Sequence, residues 1–138
     1  MIQGSCLCGG VAFEADSILF MLMCHCSRCR KAQGSAFSTF AFVDRSAFRL
    51  LRGRDLIQGY QSSPGFHRDF CSVCGSRAPH LAEGSETWGV PAGLIDGDPG
   101  VSPALHISVG SKAPWWEIHD PLPQFEEGVP SPGSDDGG

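Results

Sequence analysis

No stretch of this sequence is long and apolar enough to cross a bilayer. The longest hydrophobic run is ILFMLM at residues 18–23, far short of the ~20 residues a spanning helix needs. Long segments with helical period are missing too, which argues against a bundle or coiled coil. The opening MIQGSCLCGG has neither a basic region nor an apolar stretch of secretory length. An overall positive charge is lacking: the net value is −5, which disfavours general binding to nucleic acid or anionic membranes. Several catalytic signatures are absent. Ser5 and Ser35 sit in no Gly-x-Ser-x-Gly elbow, and no Gly-x-x-x-x-Gly-Lys phosphate loop occurs. Zinc deaminases require His-x-Glu and a proline before Cys-x-x-Cys, yet Phe70 precedes Cys71.

What is present suits one domain with a single core: 138 residues, 41% hydrophobic and 9% aromatic. Eighteen glycines and ten prolines punctuate short apolar runs. The pattern predicts a mainly β chain, with strands over 11–15 (Val11, Phe13 and Ala15 on one face), 18–23, 36–43 and 48–51, then 57–62, 66–70, 87–90 and 105–109. One short helix is expected over 27–33, with Ser27 as N-cap and Gly34 just past its end. Residues 1–127 read as the domain, and GVPSPGSDDGG at 128–138 as a disordered tail. Charge divides unevenly. Residues 1–77 carry nine of the ten bases against five acids, a net +4, and residues 78–138 carry one base against ten acids, a net −9. A basic first half around the cysteines suits an anionic small molecule better than a long polyanion.

The seven cysteines fall into three groups: Cys6 and Cys8; Cys24, Cys26 and Cys29; Cys71 and Cys74. An odd number, with Cys-x-Cys neighbours that cannot easily pair with each other, argues against a disulfide framework. With no targeting segment, the chain is expected in the cytoplasm, where thiols stay reduced and clustered cysteines mean metal or catalysis. Soft thiolates in a tetrahedron favour zinc. Two pairs complete one Cys₄ site and leave three cysteines. Cys26 and Cys29 could join Cys71 and Cys74, but that splits the tight 24–29 cluster. The preferred division is a closed structural site of Cys6, Cys8, Cys71 and Cys74, and an open one of Cys24, Cys26 and Cys29. Zinc on three thiolates has a formal charge of −1, poorly suited to activating water and better suited to holding a fourth, incoming thiolate. Such a sulfur is a ready nucleophile for an aldehyde carbon. Arg28, Arg30 and Lys31 stand beside the cluster, placed to pair with a thiol substrate's carboxylates.

The remaining polar and aromatic residues carry weaker expectations. His25, between two ligands, reads as a neighbour of the metal site or a surface residue with its ring turned away. A further possibility is that a histidine completes the second site, making both metals structural. His67, His80, His106 and His119 lack paired spacing and read as ordinary strand or loop histidines. Asp69, two before Cys71, is a candidate acceptor supporting the metal site but reads first as a solvated strand charge. Trp88, Trp115, Trp116, Phe40 and Phe42 read as packing residues, with Trp115 or Trp116 also a candidate pocket wall.

The segments GSCLCGGVAFEA (4–15), CHCSRCRKAQGSAF (24–37), FCSVCGS (70–76), HISVGSKAPWWEI (106–118) and LPQFEE (122–127) resemble the glutathione-dependent formaldehyde-activating enzyme family, which also includes centromere protein V. The resemblance spans about residues 4–127, and all seven cysteines match. It implies a zinc-containing β-tent fold of short antiparallel sheets. It further implies S-hydroxymethylglutathione synthase chemistry, in which a carbon–sulfur lyase joins glutathione to formaldehyde or a related small aldehyde. It implies two zinc ions: a structural one on Cys6, Cys8, Cys71 and Cys74, and a catalytic one among Cys24, Cys26 and Cys29. The alternative is a zinc-stabilised module that binds protein or nucleic acid without turnover.

Overall fold

The computed structural model describes residues 1–129. Along the chain come β1 (Ile2–Ser5), β2 (Ala12–Ala15), β3 (Phe20–Cys24), α1 (Ser27–Gln33), β4 (Ser38–Asp44), β5 (Phe48–Arg52), β6 (Ile57–Ser63), β7 (Phe66–Cys71), β8 (Thr87–Pro91) and β9 (Pro103–Ile107). They form a three-stranded sheet β1-β2-β5, a four-stranded sheet β8-β4-β3-β9 and a hairpin β6-β7. The mainly β reading with short sheets holds. Each predicted strand and the helix is found, with ends shifted by a few residues, and β1 adds a strand that its Gly4 obscured. The antiparallel expectation meets one exception: β3 and β9 run parallel. More than seventy residues separate them, so no hairpin dictates their direction.

β3 is the spine. It lies inside the larger sheet, and Met21, Leu22, Met23 and Cys24 are all buried, which is why its sequence is continuously apolar rather than alternating. The chain then turns directly into α1. Cys26, not Ser27, is the N-cap, and its sulfur accepts the Cys29 amide at 3.2 Å. A thiolate can cap a helix as an oxygen does, and the turn that gathers the ligands also starts the helix. Gly34 ends it in the left-handed region (φ 65), its amide bonding Arg30 O at 2.8 Å.

One core cluster lies under the smaller sheet, where Phe13 is fully buried and stacks on Phe48 at 5.6 Å between ring centroids. Gly4 is required there, because a Cβ would lie 2.5 Å from Phe13 Cζ. A second cluster joins Leu22 and Ile107 to Cys24, Cys26 and Cys29. Val129 packs on this second cluster, inside the segment expected as a tail; residues 130–138 lie outside the described residues. Among the described residues no helix is long and apolar enough to cross a membrane.

The packing predicts that Phe13→Ala costs ~3–5 kcal/mol by leaving a cavity. Leu51→Ala, at a residue 49% exposed, should cost under ~1 kcal/mol. Urea denaturation midpoints of the two variants check this, and equal losses would contradict it.

Candidate metal centres and adjoining clefts

Two similar knuckles assemble the first sulfur group. After β1, Cys6 and Cys8 are turned by Gly9 (φ 80); after β7, Cys71 and Cys74 are turned by Gly75 (φ 78). Glycine follows the second cysteine each time because the turn needs positive φ. Cys6, Cys8, Cys71 and Cys74 sulfurs all lie within 4.8 Å of one another. Amides point at them: Val11 N lies 3.3 Å from Cys6 Sγ, and Gly10 N lies 3.4 Å from Cys8 Sγ. Hydrogen bonds from the Ser76 side chain and backbone hold the Cys74 thiol down at about 5. The Gly10 amide favours the Cys8 thiolate, but Cys6 and its other sulfur neighbours oppose a further charge and push it up to about 11.

The second group is Cys24 at the end of β3, Cys26 at the helix cap and Cys29 in the first turn, all buried and again within 4.8 Å of each other. Hydrogen bonds from Cys24 and then Cys29 drive the Cys26 thiol down to about 2, helped by the Cys29 amide and by Arg68. Cys24 is raised by Cys26, then by Cys29 and burial. Cys29 is raised as well, because the Cys26 charge and burial outweigh the bond from Cys24. One anion is welcome here and three are not, unless a cation joins them. Buried soft donors in this number suit a thiophilic divalent ion. Two groups, of four and three cysteines, are therefore compatible with two zinc ions. Among the described residues no histidine, carboxylate or further cysteine joins the trio. Among its polar neighbours are Ser108 Oγ, 3.9 Å from Cys24 Sγ, and Arg68 Nη1, 3.3 Å from Cys29 Sγ. Ser108 is the one non-glycine residue with positive φ among those described (56), and such strain is tolerated where the surroundings over-determine it.

Several expectations about single residues change. His25 is neither a surface residue nor grouped with the trio. It is fully buried, with Nε2 2.8 Å from His106 Nδ1, and His106 Nε2 is 3.1 Å from the Asp120 carboxylate. The carboxylate only accepts, so His106 carries its proton on Nε2 and accepts from His25 Nε2–H. This leaves His25 Nδ1 as a lone pair, buried and without a hydrogen bond among the described residues. Asp69 is not a solvated strand charge; it is buried, with Oδ2 2.7 Å from His80 Nδ1. Trp115 and Trp116 are not core residues, at 69% and 40% exposed, although Trp116 walls a hollow with His106 and Asp120. Trp88 does pack, edge-on to Phe48 at 5.3 Å.

Two clefts are lined by residues that touch the trio. A basic one of about 460 Å³ is lined by Arg28, Lys31, Arg68 and Arg77 with Tyr60 and Phe70. Arg30, expected beside Arg28 and Lys31, does not line it; its Nε donates to Ser111 O at 3.1 Å. The other cleft, about 550 Å³, has a floor of Phe20, Leu22, Phe40, Phe42 and Ile107. Arg68 and Arg77 line both. Arg68, which spacing did not mark, is thus shared by the sulfur trio and both clefts. Its nearest sequence signal is that it adjoins Asp69 in a strand, where neighbouring side chains point to opposite faces, so both cannot be on the solvent side.

Burial, then repulsion from His106 and Lys112, lowers His25 to about 4 from 6.5. Between those values the unfolded chain binds the extra proton, so this residue's contribution is present above pH ~6.5 and is lost as pH falls toward ~4. The loss reaches up to ~3 kcal/mol. Chemical denaturation at pH 7 and pH 5 should show His25→Gln losing less stability on acidification than the wild type. Identical losses would contradict it.

The comparisons with known proteins agree with this geometry. The family model described as glutathione-dependent formaldehyde-activating enzyme matches residues 1–111. A Halomonas elongata protein named "Putative glutathione-dependent formaldehyde-activating enzyme" is 30% identical over 134 residues, covering 86% of this chain and 81% of its own. A crystal structure of a Rhodobacter sphaeroides protein superposes with a TM-score of 0.58 at 27% identity, over 70% of this chain and 89% of that one. By its sequence and its two cysteine groups, the chain belongs to the glutathione-dependent formaldehyde-activating enzyme family.

Proposed function

We propose that this protein is a zinc-dependent carbon–sulfur lyase that joins a thiol, glutathione being the leading choice, to formaldehyde or a related small aldehyde. The observation that carries this reading is the buried trio Cys24, Cys26 and Cys29, joined by no fourth ligand from the described residues. Zinc bound there would supply one vertex for an external thiol and keep that sulfur deprotonated.

The chain's own residues do the rest. Arg68 offsets the negative charge of three thiolates through Cys29 Sγ. Its Nε is tied to Ser62 Oγ at 3.0 Å, which holds the guanidinium in place. Arg28, Lys31 and Arg77 give the adjoining cleft the charge to take a tripeptide's carboxylates. Burial of the trio under Leu22 and Ile107 excludes bulk water from the sulfurs. Cys6, Cys8, Cys71 and Cys74 would hold the structural ion. Apparent zinc affinities of ~10–16 kcal/mol rival a domain's whole stability of ~5–15 kcal/mol.

The two sulfur groups should therefore separate by mutation. Cys71→Ser should abolish the cooperative unfolding transition seen by circular dichroism. Cys26→Ser should keep a folded chain but reduce adduct formation from glutathione and formaldehyde, followed by exchange NMR, to the uncatalysed rate. Equal rates for Cys26→Ser and wild type would reject the reading, and would leave a zinc-stabilised binding module in its place.

A further inference from the structure

Formaldehyde has two heavy atoms, and a cleft of about 550 Å³ floored by aromatic rings is far larger than it needs. Phe20 stacks on Phe42 with centroids 4.7 Å apart and planes 10° from parallel, and Phe40 lies 6.5 Å from Phe42. Phe20 remains 36% exposed at the end of β3. The floor continues to the sulfurs, because Leu22 and Ile107 pack with Cys24, Cys26 and Cys29. The basic cleft shares Arg68 and Arg77 with the aromatic one, and Arg68 bonds Cys29 Sγ at 3.3 Å, so the two clefts meet at a side chain that touches the trio.

The aromatic cleft also has polar groups able to meet a carbonyl: Arg68, Arg77, Ser85, Thr87 and a pair of histidines. His80 and His67 line it with their rings stacked 4.6 Å apart. Asp69 accepts from His80 Nδ1–H, which leaves Nε2 without a hydrogen bond among the described residues. The charged or titratable groups around His80 are His67, Arg68, Asp69 and Arg77; β3, β4 and β8 face the cleft with uncharged residues such as Phe20, Phe42 and Thr87.

We infer that this cleft is the site of the carbonyl partner, and that the partner is an aldehyde bearing an apolar or aromatic group, with its oxygen facing His80. The inference rests on the thiol-addition reading above. The step balances without a further reactant. The sulfur pair forms the C–S bond and the C=O π pair moves onto oxygen. The proton lost by the thiol reaches that oxygen through His80 Nε2, giving RS–CH(OH)R′ and neutral imidazole. Asp69, buried and fixed on β7, orients the ring and stabilises the imidazolium.

The test uses the zinc-loaded full chain with glutathione and either formaldehyde or phenylacetaldehyde, each rate divided by its uncatalysed rate. The enhancement should be at least ~10-fold larger for phenylacetaldehyde, the scale that apolar contacts give in a pocket. Phe20→Ser, at a half-exposed position that should fold, should lower that ratio about tenfold. Saturation-transfer NMR should detect the unreactive 2-phenylethanol on the wild type and lose it on Phe20→Ser. His80→Gln should lower kcat for both aldehydes by ~10²-fold or more while glutathione binding by calorimetry is kept, and imidazole should restore His80→Ala. Acceleration of formaldehyde alone, or a Phe20→Ser ratio equal to wild type, would overturn the inference and leave thiol addition standing. Acceleration of neither aldehyde would bring down the thiol-addition reading and this inference with it.

Discussion

Three sulfurs that crowd one buried turn cannot all carry charge without a counter-ion, and much of this structure follows from that constraint. Cys24, Cys26 and Cys29 need a strand end, a cap and a first helical turn in immediate succession. The strand must be a central one, so that the turn is roofed by apolar side chains, and β3 is. The helix must be short and must end cleanly, which Gly34 ensures. One cation is built in: Arg68, buried and 3.3 Å from Cys29 Sγ. A divalent ion on the trio would complete the compensation, and it is the centre of the proposed chemistry.

The four-sulfur group is not remote from that chemistry. It joins the knuckle after β1 to the knuckle after β7. β7 carries Arg68 and Asp69 a few residues before Cys71, all three of them buried. Fixing Cys71 therefore fixes the strand that supplies the guanidinium on Cys29 and the carboxylate on His80. The two sulfur groups are mechanically linked through β7, where residues 68–71 join the guanidinium on Cys29 to the Cys71 sulfur, so a change at the four-sulfur group reaches the trio without touching it. This linkage also explains why the clefts meet where they do. Arg68 stands in the middle of β7 and Arg77 just past its knuckle, between the basic and the aromatic walls.

Much of this was legible in the sequence, and the part that was not has a common cause. Cys-x-Cys and Cys-x-x-Cys spacings impose tight turns, so the three cysteine clusters could be read from local spacing with glycines where positive φ was needed, while spacing alone left open which clusters join. The strands were visible because β-branched and aromatic residues alternate or cluster between Gly and Pro breaks. What spacing did not reveal are pairs made across the fold. Arg68 reaches Cys29, His25 reaches His106, and Asp69 reaches His80. Their partners are set by which strands become neighbours, which spacing within one segment does not show. The parallel β3–β9 pairing has the same origin, since it is the step that brings His106 to His25. Arg30 went the other way: a basic residue in a basic run is turned by helical geometry to Ser111 while Arg28 and Lys31 face the cleft.

The central claim is that one of two zinc ions has a vertex left for an external sulfur. Zinc X-ray absorption on the metal-replete protein, with and without glutathione, tests it most directly. Two zincs per chain are expected, with the average number of sulfur neighbours rising by about one half when glutathione is added, because only the trithiolate ion gains one. An unchanged sulfur shell, or a single zinc per chain, would contradict the account.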